Sequence, residues 1–426
     1  MNNFTVIFLL INVVVLLILP RRFAPVPLLI AVCYMTYGQG FSVGSFSFTV
    51  IRVLIVTGII RVLLRGERIK GGLNKLDWLM LFWASWALTS SLFRPDVTAA
   101  LIFRLGLVYN TCGIYFLFRI FIQSVEDVWR MIYLLIFILL PISFEMINEH
   151  LLNHNFFSIF GGVPSIPFVR EGSIRAQGPF RHPILAGTVG AVCMPLAIAL
   201  WSKHRKAAVI GMFSCVTIVI CSKSSGPLVS LLTGVGAMTM WRYRYNMKAL
   251  RWLFVGGYIV LDIVMKADPY YLMGRIPLVK GSTGWHRAEL INTAIRHFNE
   301  WWLWGTDYTR HWMPTGVSWS PDHTDITNHY IKMGVLGGLP LMILFVLILA
   351  KGFSYVGQVI AQPEDAMSHV VLFMIWALGA SLFANAATMI SVSYFDQSFV
   401  FLYLVLAMTG SIWSDWKIKK SGNPVP

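Results

Sequence analysis

The sequence predicts an all-α polytopic membrane protein with about 12–13 transmembrane helices and a large external loop late in the chain. Of its 426 residues, 57% are hydrophobic and only 12% are charged, whereas a soluble domain carries about 25% charged residues. The apolar residues form runs from one end of the chain to the other, and short basic clusters separate many of these runs. A single membrane domain, residues 1–426, is therefore the simplest organisation.

Thirteen apolar runs are candidates for membrane-spanning helices. They are Phe4–Pro20, Pro25–Gly40, Phe48–Leu64, Leu76–Phe93, Ala99–Ile120, Met131–Met146, Ile184–Trp201, Ala207–Cys221, Pro227–Trp241, Ala249–Met265, Tyr330–Ala350, Val370–Ala387 and Ser398–Ile412. Several are shorter than the roughly 20 residues that a straight span needs, so they extend into their flanks or are partly re-entrant. Thirteen spans result if the N-terminus lies outside, which also places Arg21 and Arg22 on the cytoplasmic face; twelve spans are the alternative. The first run has neither a preceding basic residue nor a small-residue cleavage site, which predicts a retained helix and not a signal peptide.

Four basic clusters, near residues 65–75, 203–206, 242–251 and 417–420, predict the orientation of the spans. Alternating spans place all four on the cytoplasmic face, as the positive-inside rule requires. External loop A (148–183) and external loop B (266–328) then lie on the opposite face. The clusters account for much of the net charge of +15, so this charge does not predict a nucleic-acid partner. The basic residues of the long loops predict an anionic ligand instead.

Loop A places Arg170, Arg175 and Arg181 within twelve residues, interleaved with glycine. Guanidinium groups bind phosphate oxygens in pairs, so this pattern suits a pyrophosphate. Contact with lipid headgroups is the alternative. The short turn that begins at Lys223 lies on the same predicted face and brings a further positive charge.

Loop B contains a predicted amphipathic helix from Gly284 to Trp304, which suits a position along the membrane surface. Arg287 lies on this helix, as does Arg296, for which a solvated position is predicted. The tryptophans of loop B form either an interfacial belt or a platform for sugar rings. His329 stands where loop B enters the next span, a position at which ionisable groups are functional candidates.

No cofactor and no metal site are predicted. The acidic and histidine residues of loop B lack the spacing of known metal-binding motifs; they are Asp307, His311, Asp322, His323 and Asp325. The sequence also lacks a phosphate-binding loop, a dinucleotide-binding glycine motif and a nucleophile elbow. These observations do not support an ATP-driven protein or a serine hydrolase.

Four motifs occur in a fixed order. Residues 175–183 read Arg-Ala-Gln-Gly-Pro-Phe-Arg-His-Pro ahead of an Ala/Gly-rich span, and residues 284–287 read Gly-Trp-His-Arg at a predicted helix start. Residues 300–305 read Glu-Trp-Trp-Leu-Trp-Gly, and residues 327–330 read Thr-Asn-His-Tyr ahead of Gly334 and Gly337. In this order they resemble the R-x-x-G-x-F-x-x-P entry, the small-residue-then-Arg helix start, the glycine turn and the H-N-x-x-L…G-x-x-G helix start of the O-antigen ligase and O-antigen polymerase superfamily. The resemblance covers Ile166–Leu347. It departs at the turn Lys223-Ser-Ser-Gly-Pro, where the family often has Ser-Arg-Gly-Ala, and at Asn328, which precedes the histidine instead of following it.

The resemblance implies a metal-independent, inverting glycosyltransferase in the bacterial inner membrane, with its active site on the periplasmic side. Its donor would be a glycan on undecaprenyl pyrophosphate, and its acceptor a hydroxyl of a glycan, lipid or protein; ligase and polymerase both remain open. The resemblance implies that Arg175 and Arg287 hold the pyrophosphate and that His329 lies at the reaction centre, so these three are the predicted catalytic residues; Arg181 is a second candidate for the pyrophosphate. A histidine in this position suits a general base that takes the proton of the acceptor hydroxyl. Lys223, from the short turn, is a further candidate ligand of the pyrophosphate, and Trp312, Trp319 and Asp307 of loop B are candidate glycan contacts.

Two other functions remain open. A transporter or flippase of an anionic lipid-linked glycan predicts paired ionisable residues within spans, for which Arg104 and Glu145 are candidates. A non-catalytic scaffold of an envelope assembly predicts tolerance of arginine substitution. The sequence contains no internal repeat of the kind that many transporters have.

Overall fold

The structure, a computed structural model, describes residues 1–275, 283–362 and 367–421. Helices make up 74% of the chain, which confirms the predicted all-α class. The α-helices are α1 (Asn3–Ile18), α2 (Pro25–Tyr34), α3 (Val50–Arg65), α4 (Lys75–Thr89), α5 (Val97–Phe121), α6 (Val125–Leu152), α7 (Pro183–Ala199), α8 (Arg205–Cys221), α9 (Ser225–Thr239), α10 (Met247–Val264), α11 (Leu272–Arg275), α12 (Gly284–Arg296), α13 (Phe298–Trp301), α14 (His329–Ile360), α15 (His369–Thr388) and α16 (Phe399–Ser421). Each predicted apolar run overlaps one of these helices, although the second run, Pro25–Gly40, is α-helical only as far as Tyr34.

Six helices of the described residues are long and apolar enough to cross a membrane. They are α5, α6, α7, α14, α15 and the Phe399–Lys420 part of α16. Helix α1 is apolar but has only 16 residues. The protein is therefore a polytopic α-helical membrane protein. The count of twelve or thirteen spans and the orientation in the bilayer stay predictions.

Within the described ranges, three short antiparallel hairpins supplement the helices, and the sequence analysis did not predict them. They are β1 (Gly40–Val43) with β2 (Phe46–Thr49), β3 (Phe168–Arg170) with β4 (Ser173–Arg175), and β5 (Gly316–Val317) with β6 (Ser320–Thr324). The second hairpin lies in loop A and the third in loop B. Hairpins pair backbone polar groups that an irregular loop would leave to water.

Helix α7 lies at the centre of the fold, against α8, α9 and α15. Its glycines explain the close packing: a Cβ added at Gly190 would lie 2.8 Å from the Cys215 carbonyl oxygen, and one at Gly187 would overlap Ser222 Oγ. Small residues allow membrane helices to approach closely. The start of α7 is thus held against the turn between α8 and α9.

A buried ion pair ties α4 to α5. Arg119 Nε donates to Asp77 Oδ1 at 2.9 Å, and its Nη2 donates to Asp77 Oδ2 at 3.0 Å. The Tyr115 hydroxyl donates to the same carboxylate at 2.6 Å, and Arg119 Nη1 donates to Ser411 Oγ at 2.8 Å. A buried pair is tolerated only when its remaining hydrogen bonds are made, so this network suits a structural role.

Helix α14 is broken at Gly337 and Gly338, whose backbone angles are not helical. Gly338 has φ of +75°, and a Cβ there would overlap the Leu303 carbonyl. The freed Leu339 amide donates to the Trp302 carbonyl at 2.7 Å. Loop B therefore packs directly into the break, and this explains why glycine occupies the position.

The predicted helix of loop B is confirmed from Gly284 to Arg296 and is wrong beyond that point. His297 has φ of −94° and ψ of 21°, which ends α12, and the separate short helix α13 follows. Arg296 is exposed, as predicted.

Candidate functional site

Loop A approaches the core through the residues of the R-x-x-G-x-F-x-x-P motif. Arg175 ends strand β4, and the next amide, that of Ala176, donates to the Cys221 carbonyl at 3.0 Å. Gly178 has φ of +55°, which favours glycine, and Phe180 is fully buried. Pro183 opens α7 at a position that needs no amide donor. Each motif residue thus has a local reason to be where it is.

Two buried carboxylates hold the backbone of this motif. Glu149 accepts the amides of Gln177 and Gly178 at 3.0 and 2.8 Å. Asp396 accepts the Arg181 amide at 2.8 Å, and burial raises the pKa of its carboxyl to about 7. Because both acids bind backbone amides, they position loop A and leave the Arg175 guanidinium without a carboxylate partner.

The Arg175 guanidinium contacts the turn between α8 and α9. Its Nη2 donates to Ser224 Oγ at 2.6 Å, and its Nε lies 3.4 Å from the Ser222 carbonyl oxygen. The residue is only 6% exposed. Lys223, in the same turn, is exposed and has φ of +46°.

Arg287 reaches the same turn from loop B. It lies in the first turn of α12, is 8% exposed, and its Nη1 lies 3.4 Å from Ser225 Oγ. Its Nε is buried and has no hydrogen-bond partner among the described residues. A buried donor without a partner costs free energy, which an acceptor supplied by a ligand would offset. Arg175 and Arg287 thus meet at adjacent serines, although 112 residues separate them (287 − 175 = 112).

Neither guanidinium forms a salt bridge within the described part of the chain. Burial, followed by the charges of Arg170 and Arg287, lowers the pKa of Arg175 to about 10, so it stays charged at neutral pH. Burial and Arg170 also lower the pKa of Arg287, against an opposing effect of Asp325. Arg170 is therefore a third positive charge of the same cluster. We name Arg170, Arg175 and Arg287 the arginine cluster.

His182, which caps α7, also lies in the field of the arginine cluster. Burial, then Arg175 and Arg170, lower the pKa of its imidazole to about 4. Its Nδ1 accepts the Ile184 amide at 3.2 Å. The ring is therefore neutral at physiological pH and adds no charge to the cluster.

His329 is the first residue of α14 and is buried. Its Nδ1 accepts the Tyr394 backbone amide at 3.2 Å, and its ring packs against Phe345 and Tyr394. A backbone amide can only donate, so Nδ1 is unprotonated and a neutral ring carries its hydrogen on Nε2. Nε2 makes no hydrogen bond within the described residues, so it can donate to a ligand.

The turn between α8 and α9, which we name the serine turn, holds Ser222, Ser224 and, at its end, Ser225. The segment between α15 and α16 connects it with His329. Tyr394 contacts the imidazole, and the Lys332 ammonium donates to the Tyr394 carbonyl at 3.0 Å. Val392, which lies just before Tyr394 in this segment, packs against Gly226: a Cβ added at Gly226 would lie 3.1 Å from Val392 Cγ2. Gly226 directly follows the serine that Arg287 contacts. His329 and the arginine cluster therefore flank the same short segment.

Other predicted residues lie elsewhere. Arg181 is exposed and its guanidinium lies 6.0 Å from the Tyr37 ring. Asp307 pairs with Arg94 at 3.2 Å, beside the break in α14. Among the described residues, no contact joins Arg181 or Asp307 to the serine turn.

The two predicted glycan-binding tryptophans differ in exposure. Trp312 is 3% exposed, donates to Glu300 Oε2 at 2.9 Å and stacks on His297. A sugar ring would reach it only if this packing changed. Trp319 is 71% exposed near the turn of the β5–β6 hairpin, so its ring is accessible. Both glycan roles stay predictions.

The candidate residues for a transporter do not form a pair in the structure. Arg104 Nε donates to the Leu336 carbonyl at 3.1 Å, and Arg94 Nη2 donates to the Val335 carbonyl at 2.7 Å. These guanidinium groups satisfy carbonyls freed by the break in α14. Glu145 instead accepts the Phe156 amide at 2.7 Å. The arrangement gives Arg104 a structural role.

Comparisons with protein-family models and with curated proteins find no match for this chain. The likeness to the O-antigen superfamily therefore depends on the motifs alone. Sequence reasoning missed Ser224 and Ser225 as contacts of the arginines, and it noted Arg170 without assigning it a role. The helix-breaking sequence Ser-Ser-Gly-Pro at the turn could have indicated the two serines, and the density of arginine in loop A could have indicated Arg170.

Proposed function

We propose that the protein is a glycosyltransferase of the O-antigen ligase or polymerase type. It moves or polymerises a glycan from undecaprenyl pyrophosphate onto the hydroxyl of a glycan, lipid or protein acceptor, with inversion and without a catalytic metal. The proposed location is the bacterial inner membrane, with the reaction on the periplasmic face. The motifs of residues 166–347 are the basis for the class of donor.

One observation carries this proposal: the meeting of Arg175 and Arg287 at one turn. Both guanidinium groups are buried, charged and without a carboxylate partner among the described residues. Like charges repel strongly in a low-dielectric site, so two arginines brought together need an anion. A diphosphate supplies two charges and several acceptors, and guanidinium groups bind such oxygens in pairs.

The arginine cluster would act on the leaving group. Negative charge grows on the pyrophosphate as the anomeric C–O bond breaks, and fixed positive donors stabilise this charge without a metal. The bond from the glycan to the diphosphate breaks, the bond to the acceptor oxygen forms, and the acceptor proton ends on undecaprenyl pyrophosphate. Lys223 is exposed in the same turn and can contact an outer phosphate oxygen.

His329 fits this scheme as a hydrogen-bond donor. The bond from the Tyr394 amide keeps Nδ1 unprotonated, so Nε2 carries the hydrogen of the neutral ring and is available as a donor. The predicted role of general base requires the other tautomer, and hence loss of the Tyr394 bond. We therefore assign Nε2–H to a phosphate oxygen or the departing oxygen, and the base role stays a prediction.

The proposal is tested with purified full-length protein, a synthetic oligosaccharide on undecaprenyl pyrophosphate and a panel of glycan, lipid and peptide acceptors. We expect a new glycosidic bond, inverted at the anomeric carbon, and release of one undecaprenyl pyrophosphate per bond. Activity should persist in EDTA. Mass spectrometry of the product and NMR of its anomeric proton measure these outcomes.

Two controls separate the enzyme from the alternatives. The double variant Arg175→Ala/Arg287→Ala should release no product while remaining folded in detergent. Movement of the intact lipid-linked glycan across the membrane of proteoliposomes, with no glycosidic bond formed to any acceptor, would support the transporter instead. Product formation unaffected by both substitutions would leave the arginine cluster without a catalytic role.

A further inference from the structure

Loop B brings together two imidazoles and a carboxylate that the sequence analysis did not group. His297 Nδ1 lies 2.8 Å from Glu300 Oε1, and His311 Nε2 lies 3.0 Å from the same oxygen. The donor atoms of the three residues all lie within 4.8 Å of one another. His297 ends α12, Glu300 lies in α13, and His311 lies in the 3-10 turn of Arg310–Trp312.

This set of donors matches the ligands of zinc. Zn²⁺ binds imidazole nitrogen at about 2.0–2.1 Å and carboxylate oxygen at about 2.0–2.2 Å. In a tetrahedral site the donors are then about 3.3 Å apart. The two nitrogen–oxygen separations, 2.8 and 3.0 Å, would widen slightly to reach this value, and the two imidazole nitrogens already lie within 4.8 Å of each other. All three side chains are partly exposed, which gives an ion access and leaves a position for water.

The surrounding residues orient these ligands. Trp312 Nε1 donates to Glu300 Oε2 at 2.9 Å, so the other carboxylate oxygen faces both imidazoles. The His297 ring stacks on Trp312, and the His311 ring stacks on Tyr308. Outer partners of this kind strengthen metal binding.

We propose that His297, Glu300 and His311 bind one Zn²⁺ ion that stabilises loop B. The ion would tie the end of α12 to the turn of His311. The neighbouring Trp301 packs on Gly334 of α14, so the ion would also steady the contact between loop B and the broken helix. The site contains no member of the arginine cluster, and the ion takes no part in the chemistry of the proposed transfer reaction.

The test uses tag-free full-length protein in detergent, stripped with EDTA and titrated with Co²⁺ as a coloured substitute for Zn²⁺. We expect one equivalent of Co²⁺ to give visible ligand-field absorption, and Zn²⁺ to displace it. Loss of an outer partner costs about 10- to 100-fold in metal affinity, so His297→Ala and His311→Ala should each weaken binding by more than about 100-fold. The matched control His323→Ala, also in loop B, should bind like wild type.

Glu300→Gln is the deciding variant if an alanine variant misfolds. Its amide oxygen can still accept from Trp312, so the fold is kept while the negative charge is lost, and Co²⁺ affinity should fall by at least about 10-fold. Near-UV circular dichroism checks that the variant is folded. Absence of one-to-one binding by wild type, or binding by folded Glu300→Gln equal to wild type, would overturn the proposal.

Discussion

Arg287→Ala is expected to lower the rate of glycan transfer by about 100- to 1,000-fold, the effect of removing one preorganised donor to a developing anion. Arg287 is buried, unpaired with any described carboxylate, and directed at the turn that Arg175 also contacts. Its loss removes charge where the leaving pyrophosphate would form. Steady-state kcat with the lipid-linked oligosaccharide measures the effect.

Arg296→Ala is the matched control, because Arg296 lies on the same helix but is exposed. It should transfer glycan at nearly the wild-type rate. Arg287→Lys keeps the charge and loses the planar pair of donors, so its rate of glycan transfer should lie between those of wild type and Arg287→Ala. Equal rates for Arg287→Ala and Arg296→Ala would remove Arg287 from the proposed site.

His329→Ala should reduce transfer by at least about 100-fold, within the range for a group that donates or accepts a proton or hydrogen bond in the transition state. The size of the loss does not distinguish a donor from a base. His329→Gln does, because the glutamine amide donates a hydrogen bond but cannot remove a proton. We expect His329→Gln to recover part of the activity.

The matched control for the histidine is His286→Ala, since His286 lies in loop B and its ring contacts the Asp325 carbonyl at 3.0 Å. It should leave the rate nearly unchanged. A glutamine variant as inactive as His329→Ala would favour the general base, with the Tyr394 bond broken during turnover. Wild-type rates in any two of Arg175→Ala, Arg287→Ala and His329→Ala would refute the assigned site.

The sequence predicted the helices well because their signal is local. A run of apolar residues must become a helix in a bilayer, where every backbone polar group needs an internal partner. The end of α12 was harder to predict, because Ile295, Phe298 and Trp302 continue the apolar spacing past His297. The break of α14 at Gly338 depends on the Leu303 carbonyl, which is distant in sequence.

The arginines of the candidate site could be selected from composition and motif, but their partners could not. The two arginines donate to the hydroxyls of Ser224 and Ser225. These serines are in place because α7 packs against the α8–α9 turn. The tautomer of His329 depends on an amide 65 residues away. The group of His297, Glu300 and His311 also escaped sequence reasoning, because its spacing matches no metal-binding motif.

A double-mutant cycle on the binding of undecaprenyl pyrophosphate tests the convergence of Arg175 and Arg287 most directly. Affinities of wild type, each alanine variant and the double variant are measured in nanodiscs, with undecaprenyl monophosphate for comparison. We predict tighter binding of the diphosphate, and a coupling energy of about 0.5–3 kcal/mol between the two arginines. Strictly additive losses, or equal affinity for mono- and diphosphate, would contradict the account.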